Sequence, residues 1–234
     1  MLVKAQLHVH STLSACCDKE NTLNNIVNMC ALLGVKILAL SDHNSCRNFL
    51  ALEKLCKQKG ILAVPATEVT TAEEIHVLCL FNDYKDVRLL CEDIYSSLLK
   101  VKTNLKIYNP QNVLDEFDNI TETEPNLLSV ASSYGIYEIF DKVKELNGIA
   151  IPAHVDRETN SIISVLGAFP DDLNIKCVEI TPYCNEELKE RLKSKYNVII
   201  SSDAHCLQEL CKADDFYIDV DEITSSALIK RLSL

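Results

Sequence analysis

"GVKILALSDHN", residues 34–44, decides how this chain is read. It holds a glycine, an apolar run, and then an aspartate and a histidine. The glycine follows Leu23, Ile26, Val27, Cys30 and Leu33, whose spacings of three and four mark one face of a helix. Asn21 or Thr22 can cap that helix at its start. Glycine just past a helix is the usual left-handed cap, so Gly34 ends it. The apolar run that follows has the length of a buried strand. Asp42 and His43 stand where that strand stops.

The same unit recurs along the chain. Gly60 precedes "ILAVPATE", which ends on Glu68, and Gly148 precedes "IAIPAH", which ends on His154. Asn197, the next-best residue for a left-handed cap, opens "NVIISSDAH", which ends on Asp203 and His205. Further helical faces are Val87, Leu90, Cys91, Ile94 and Leu98, and Ile136, Ile139, Phe140, Val143 and Leu146. Strands are predicted over residues 4–9, 36–40, 61–64, 75–81, 149–151, 177–180 and 198–200. Strands alternating with helices predict a parallel α/β arrangement. Seven such units are lean beside an eight-stranded barrel, which typically needs about 250 residues. Residues 104–130 break the rhythm and read as an irregular or hairpin insertion beside the site, with a turn around 116–119. A single domain over residues 1–234 is expected.

Composition bounds the function. The chain has 234 residues, 47% of them hydrophobic and 24% charged, as in an ordinary globular protein. Its net charge of -11 predicts no binding to an anionic membrane and no long nucleic-acid duplex as partner. Eleven cysteines, an odd count without a C-x-x-C pair, do not make a disulfide scaffold. Most lie in apolar patterns, where a thiol acts as a small hydrophobe. A reducing, cytoplasmic setting fits them. The first residues read as a strand rather than a leader peptide, and no apolar run reaches the roughly 18 residues of a membrane span.

The six histidines carry the functional argument. His8 and His10 close the first strand in "LHVHS", two residues apart and so on one face. His43, Glu68, His154, Asp203 and His205 close later strands, and in a parallel barrel all these ends meet at one rim. His76 instead opens its strand, "IHVLCLF"; that strand either runs the other way or starts beside the rim. A lone histidine at a strand end is usually a hydrogen-bonded structural residue, but six of six at strand boundaries beside carboxylates point to metal. Imidazole and carboxylate donors suit zinc, manganese or iron. The donors exceed what one tetrahedral ion uses, so two or three divalent ions are expected.

The segments "LHVHS", "SDHNS", "TEVTTAEEIHVLCLF", "PAHVD" and "SSDAH" together resemble the PHP family (polymerase and histidinol phosphatase), over nearly the whole chain. The resemblance implies a distorted seven-stranded, TIM-like (β/α)7 barrel with up to three metals at the C-terminal rim of its strands. It implies one site from His8, His10, Glu68 and Asp203, and a second that shares Glu68 and adds His76 and His154. A third would use His43, His205 and a ligand near residues 15–18. Family members often carry Asp or His where this chain has Ala15. Asp18 is the expected substitute, with a thiolate from Cys16 or Cys17 as the lesser choice.

The expected reaction is hydrolysis of a small phosphate ester or short nucleotide by a hydroxide held between two ions. Asp203, His205 and His76 are the expected catalytic residues, and Arg157 and Arg47 the expected grips on the substrate. Glu179 is expected to line the rim or to orient a ligand histidine. The alternatives are a hydrolase of a carbon–nitrogen bond, a histidinol-phosphate phosphatase and a non-catalytic, polymerase-associated domain.

Overall fold

The computed structural model describes residues 1–212 and 216–234. Its strands are β1 (Leu2–Val9), β2 (Ile37–Leu40), β3 (Leu62–Thr70), β4 (His76–Leu80), β5 (Gln111–Leu114), β6 (Ile120–Glu124), β7 (Ile149–Pro152), β8 (Cys177–Ile180), β9 (Asn197–Ile200) and β10 (Tyr217–Asp219). Its helices are α1 (Leu23–Leu32), α2 (Phe49–Lys59), α3 (Tyr84–Ser97), α4 (Ile136–Glu145), α5 (Ile162–Leu166), α6 (Glu186–Lys193), α7 (Leu207–Lys212) and α8 (Ser225–Leu232).

The α/β class holds, but the closed parallel barrel does not. Six strands form one sheet in the order β10-β1-β2-β3-β4-β7, and β8 and β9 form a separate parallel pair. β4 lies antiparallel to both β3 and β7, so His76, its first residue, arrives at the same end as the last residues of its neighbours. No ladder joins the two among the described residues; at the rim the Val155 N–H donates to the Glu179 carbonyl, and Val9 bridges Ala204. The sheet is therefore an open half-barrel. Its inner faces still share one apolar cluster, in which Leu7, Ala39, Val64, Leu78, Ile151, Cys177 and Ile199 pack with Leu228, Ile229 and Leu232 of α8.

Two of the expected caps work differently. Asn147, not Gly148, takes the left-handed conformation after α4 (φ 55°). Gly148 is required for another reason: a Cβ there would lie 2.6 Å from the Phe81 ring and 2.8 Å from the Leu80 carbonyl oxygen. Asn197 begins β9 rather than closing α6, whose C-cap is Ser194, and its side chain donates to the carbonyl of Leu232 at the end of α8. Residues 111–124 form an antiparallel hairpin that lies against the loop after β1. Asn112 N–H donates to the Thr12 carbonyl, and Asn109 donates to Ala15 and Cys17.

Candidate metal centre

The site is built by continuing each inward face past the apolar cluster. On β3, Val64 and Ala66 pack inside and Glu68 follows two residues later. On β4, Leu80 and Leu78 pack inside and His76 comes next. On β8, Cys177 packs inside and Glu179 follows. β1 needs a correction of phase, because Leu7 faces the interior whereas Val9 packs outside with α1. A register shift between Gln6 and Val9 supplies it, and His8 and His10 turn inward. Bulges re-aim side chains next to active sites in this way. His154 and Asp203 lie just past strand ends with φ of 31° and 49°, a left-handed geometry that costs energy in non-glycine residues and collects at functional sites.

Glu68 is fully buried at the centre. Its Oε1 lies 2.9 Å from His76 Nδ1, 3.2 Å from His154 Nε2 and 3.3 Å from His8 Nε2. Its Oε2 lies 2.9 Å from His43 Nδ1 and 3.4 Å from His10 Nε2. Asp203 Oδ1 is 3.0 Å from His10 Nε2 and 3.3 Å from His8 Nε2. Burial alone would raise the Glu68 and Asp203 carboxyls. The surrounding imidazoles, those of His76, His8 and His43 at Glu68 and His8 first at Asp203, hold both well below the usual carboxylate range. Burial pulls His8 down, but Glu179, Glu68 and Asp203 outweigh it and raise its pKa. His76 lacks that surplus of acid, and burial leaves it lowered.

Partners behind the histidines fix which nitrogen faces inward. The His8 Nδ1–H donates to the Glu179 carboxylate at 2.9 Å, so Glu179 orients a histidine and turns its Nε2 toward Glu68 and Asp203. Ser14 Oγ donates to Asp42 Oδ1 at 2.7 Å, so it accepts from His10 Nδ1–H at 3.0 Å, and His10 Nε2 faces inward, 3.1 Å from His8 Nε2. His205 Nδ1–H donates to the Asp203 carbonyl at 2.8 Å. Ser14, four residues after His10, and Asp42, beside His43, take a supporting role that residue order alone did not assign.

This donor set fits divalent cations. Buried Glu68 Oε2, Asp203 Oδ1 and His154 Nδ1 have no well-formed hydrogen bond, which is costly unless something else meets them. Among the described residues, three groups bring ligand atoms within 4.8 Å of one another: His8, His10, Glu68 and Asp203; His43, Glu68 and His76; and His10, His43 and His205. His154 stands beside Glu68. Asp18 joins none of them. Its side chain is exposed, and its backbone N–H is spent on the His205 carbonyl. Arg157 Nη1 donates to Asp203 Oδ2 at 2.5 Å, at the rim. Arg47 instead donates to Glu122 and Glu124 of the hairpin, at 2.7 and 2.8 Å.

The PHP domain profile matches residues 6–213, and the chain belongs to that family. By sequence, no curated protein matches it. By structure it resembles Endonuclease Q from Pyrococcus furiosus, at 19% identity and a TM-score of 0.70 over 100% of this chain and 56% of that one. A second Endonuclease Q structure, bound to a 27-mer duplex with an abasic lesion at the active site, gives 19% and 0.69 over 98% and 56%. This chain thus spans little more than half of Endonuclease Q. A protein assigned as a metal-dependent phosphoesterase from Bifidobacterium adolescentis matches at 16% and 0.62 over 86% and 87%. An amidohydrolase from Chromobacterium violaceum, with bound sulfate, matches at 15% and 0.59 over 94% and 93%. The fold is that of metal-dependent hydrolases.

These likenesses overturn one expectation. A net charge of -11 was taken to rule out a long duplex, yet a protein of this fold is solved with a 27-mer duplex at its active site. Net charge sums over the whole surface, whereas a duplex responds to the local field, and bound cations invert that field at a metal centre. No helix among the described residues is long and apolar enough to cross a membrane.

Proposed function

We propose that this chain hydrolyses a phosphate ester, with two or more divalent ions held around Glu68. The observation that carries the reading is the placement of one buried carboxylate whose two oxygens face two different sets of imidazoles. That is the arrangement of a carboxylate shared between ions. Ions bound there supply Lewis acidity, lower the pKa of a water and neutralise phosphoryl oxygens.

The chain's own residues do the rest. Glu179 and the Asp42–Ser14 pair hold His8 and His10 with their lone pairs inward. Asp203 faces both of these imidazoles from the opposite side. His76 and His205 are only partly buried, unlike the other four imidazoles, and so flank the opening through which substrate arrives. Arg157 is 40% exposed at its side chain and gives one N–H to Asp203. Arg157 also lines a groove of about 350 Å³ with Tyr183, Ser202 and Gln208, and a guanidinium fork suits a phosphate oxygen. Arg47, committed to the hairpin, is left out of this reading.

The test is metal content of protein purified without chelator, followed by a panel of phosphomonoesters, dinucleotides, a duplex with an abasic site, and amides and lactams. The expected result is two or more equivalents of metal and hydrolysis of a phosphate ester, lost in His10→Ala and Asp203→Ala. Turnover of amides or lactams alone would replace this reading with carbon–nitrogen hydrolysis.

A further inference from the structure

Residues 104–130 supply none of the donor groups found among the described residues, yet they are bound to the loop that carries His10. Their backbone and Asn109 meet that loop at the carbonyls of Thr12, Ala15 and Cys17. A side-chain route runs deeper, through Asn48, the residue before α2. Asn48 is fully buried. Its Oδ1 accepts from the Leu114 N–H of β5 at 2.8 Å. Its Nδ2 donates to the Asn112 carbonyl of the same strand at 3.2 Å and to Ser11 Oγ at 2.9 Å. The amide has two N–H donors, so one holds the hairpin and the other holds Ser11.

From Ser11 the path continues to the centre. Ser11 Oγ donates to Asp42 Oδ2 at 2.6 Å and accepts from Asn48 and, at 3.2 Å, from the Leu13 N–H. Asp42 Oδ1 accepts from the Ser11 N–H at 2.8 Å and from Ser14 Oγ at 2.7 Å. Ser14 Oγ accepts from His10 Nδ1–H at 3.0 Å and from the His43 N–H at 3.3 Å. A hydroxyl has one proton and two lone pairs, so both serines are fully used and each is held in one orientation. Both hydroxyl protons point to Asp42. Asn48, Ser11, Asp42, Ser14 and His10 are all buried, where turning one group around would leave another unpaired at a cost.

We infer that Asn48 is a positioning residue through which the 111–124 hairpin sets the aim of His10 at the metal centre. The inference rests on the metal-centre reading above. Without the Asn48 amide, the Ser11 hydroxyl is free to turn, and Asp42 loses a fixed donor. Ser14 and the His10 ring then loosen in turn. His10 Nε2, 3.0 Å from Asp203 Oδ1 and 3.4 Å from Glu68 Oε2, spreads over more positions, and an ion gains less from it. The insertion thus serves the centre from behind, by holding a ligand rather than by supplying one.

The experiment is a double-mutant cycle on zinc affinity of the full chain, read by competition with a chelator and expressed per folded molecule, with circular dichroism as the check on folding. Asn48→Ala should lower the affinity on the order of fivefold, below the roughly 10–100-fold expected for a residue that touches the ligand itself. Ser11→Ala should lower it at least as far. The double variant should match Ser11→Ala within about twofold, because the path is already cut and losses along one network do not add. Wild-type affinity in folded Asn48→Ala would overturn the inference and leave the Glu68 reading standing, and so would losses that multiply in the double variant. If Asn48→Ala does not fold, Ser11→Ala decides: it leaves the bonds from Asn48 to the hairpin in place, and unchanged affinity there would overturn the path. Wild-type protein that takes up no zinc would overturn both readings.

Discussion

Along the inward faces of β3, β4 and β8, Val64, Ala66, Leu78, Leu80 and Cys177 form an apolar floor. Two residues further on, the same faces carry Glu68, His76 and Glu179. Glu68 and Leu78 are even register partners across the β3–β4 ladder, and both are fully buried. Equal burial has opposite energetic signs at the two ends. Burying an aliphatic side chain contributes about 1.5–3 kcal/mol, whereas burying a carboxylate costs several kcal/mol unless it is matched by charge and hydrogen bonds. The floor stabilises the fold, and the rim depends on imidazoles and cations to offset its own cost. The two ends should therefore fail in different ways.

The largest effect is expected at the rim. Glu68→Gln removes the charge that both imidazole sets share. It should strip most of the bound metal and lower hydrolysis by at least about 10²–10³-fold, read by metal analysis and kcat/KM. Leu78→Ala, its ladder partner, should do the reverse. It should destabilise the protein by about 2–5 kcal/mol in denaturant melts while metal equivalents and activity per folded molecule stay at the wild-type level. If either substitution produced both losses, floor and rim would not be separable.

Smaller effects sharpen the comparison. Glu179→Gln keeps the shape but weakens the hold on His8, and metal affinity should fall about 10–100-fold, measured by competition with a chelator. Far from the site, Lys142 donates to Asp93 at 2.7 Å and holds the Asp93 carboxyl below its usual value. The folded pKa is depressed, so the pair contributes stability above about pH 4, the ordinary Asp value, and loses it as pH falls through the folded pKa. Both side chains are partly solvated. Asp93→Asn should therefore remove less than about 1 kcal/mol near neutral pH and nothing in acid.

Much of this was legible in the sequence, because strand ends are where chemistry sits in such folds and the histidines occupy those ends. The odd placement of His76 at the start of its strand was legible too, and the reversed direction of β4 is its cause. Other features depended on geometry that residue order does not carry. The phase shift in β1 that turns His8 and His10 inward has no signature in "LHVHS". The helix-then-glycine rule placed the cap at Gly148, but the left-handed residue is Asn147 and the glycine answers to Phe81. β8 and β9 pair with each other and not with the six-stranded sheet, which leaves open what the resemblance implied as a seven-stranded barrel. Asp18, the expected substitute at Ala15, is exposed and joins none of the donor groups found among the described residues.

The most direct test of the central claim is anomalous diffraction at the metal edge on crystals of the metal-loaded protein. The account predicts at least two ions, one on each side of the Glu68 carboxylate and about 3.5–4 Å apart, ringed by the imidazoles described above. A single ion away from Glu68, or ions bound only at surface carboxylates while the six imidazoles stay unligated, would contradict it.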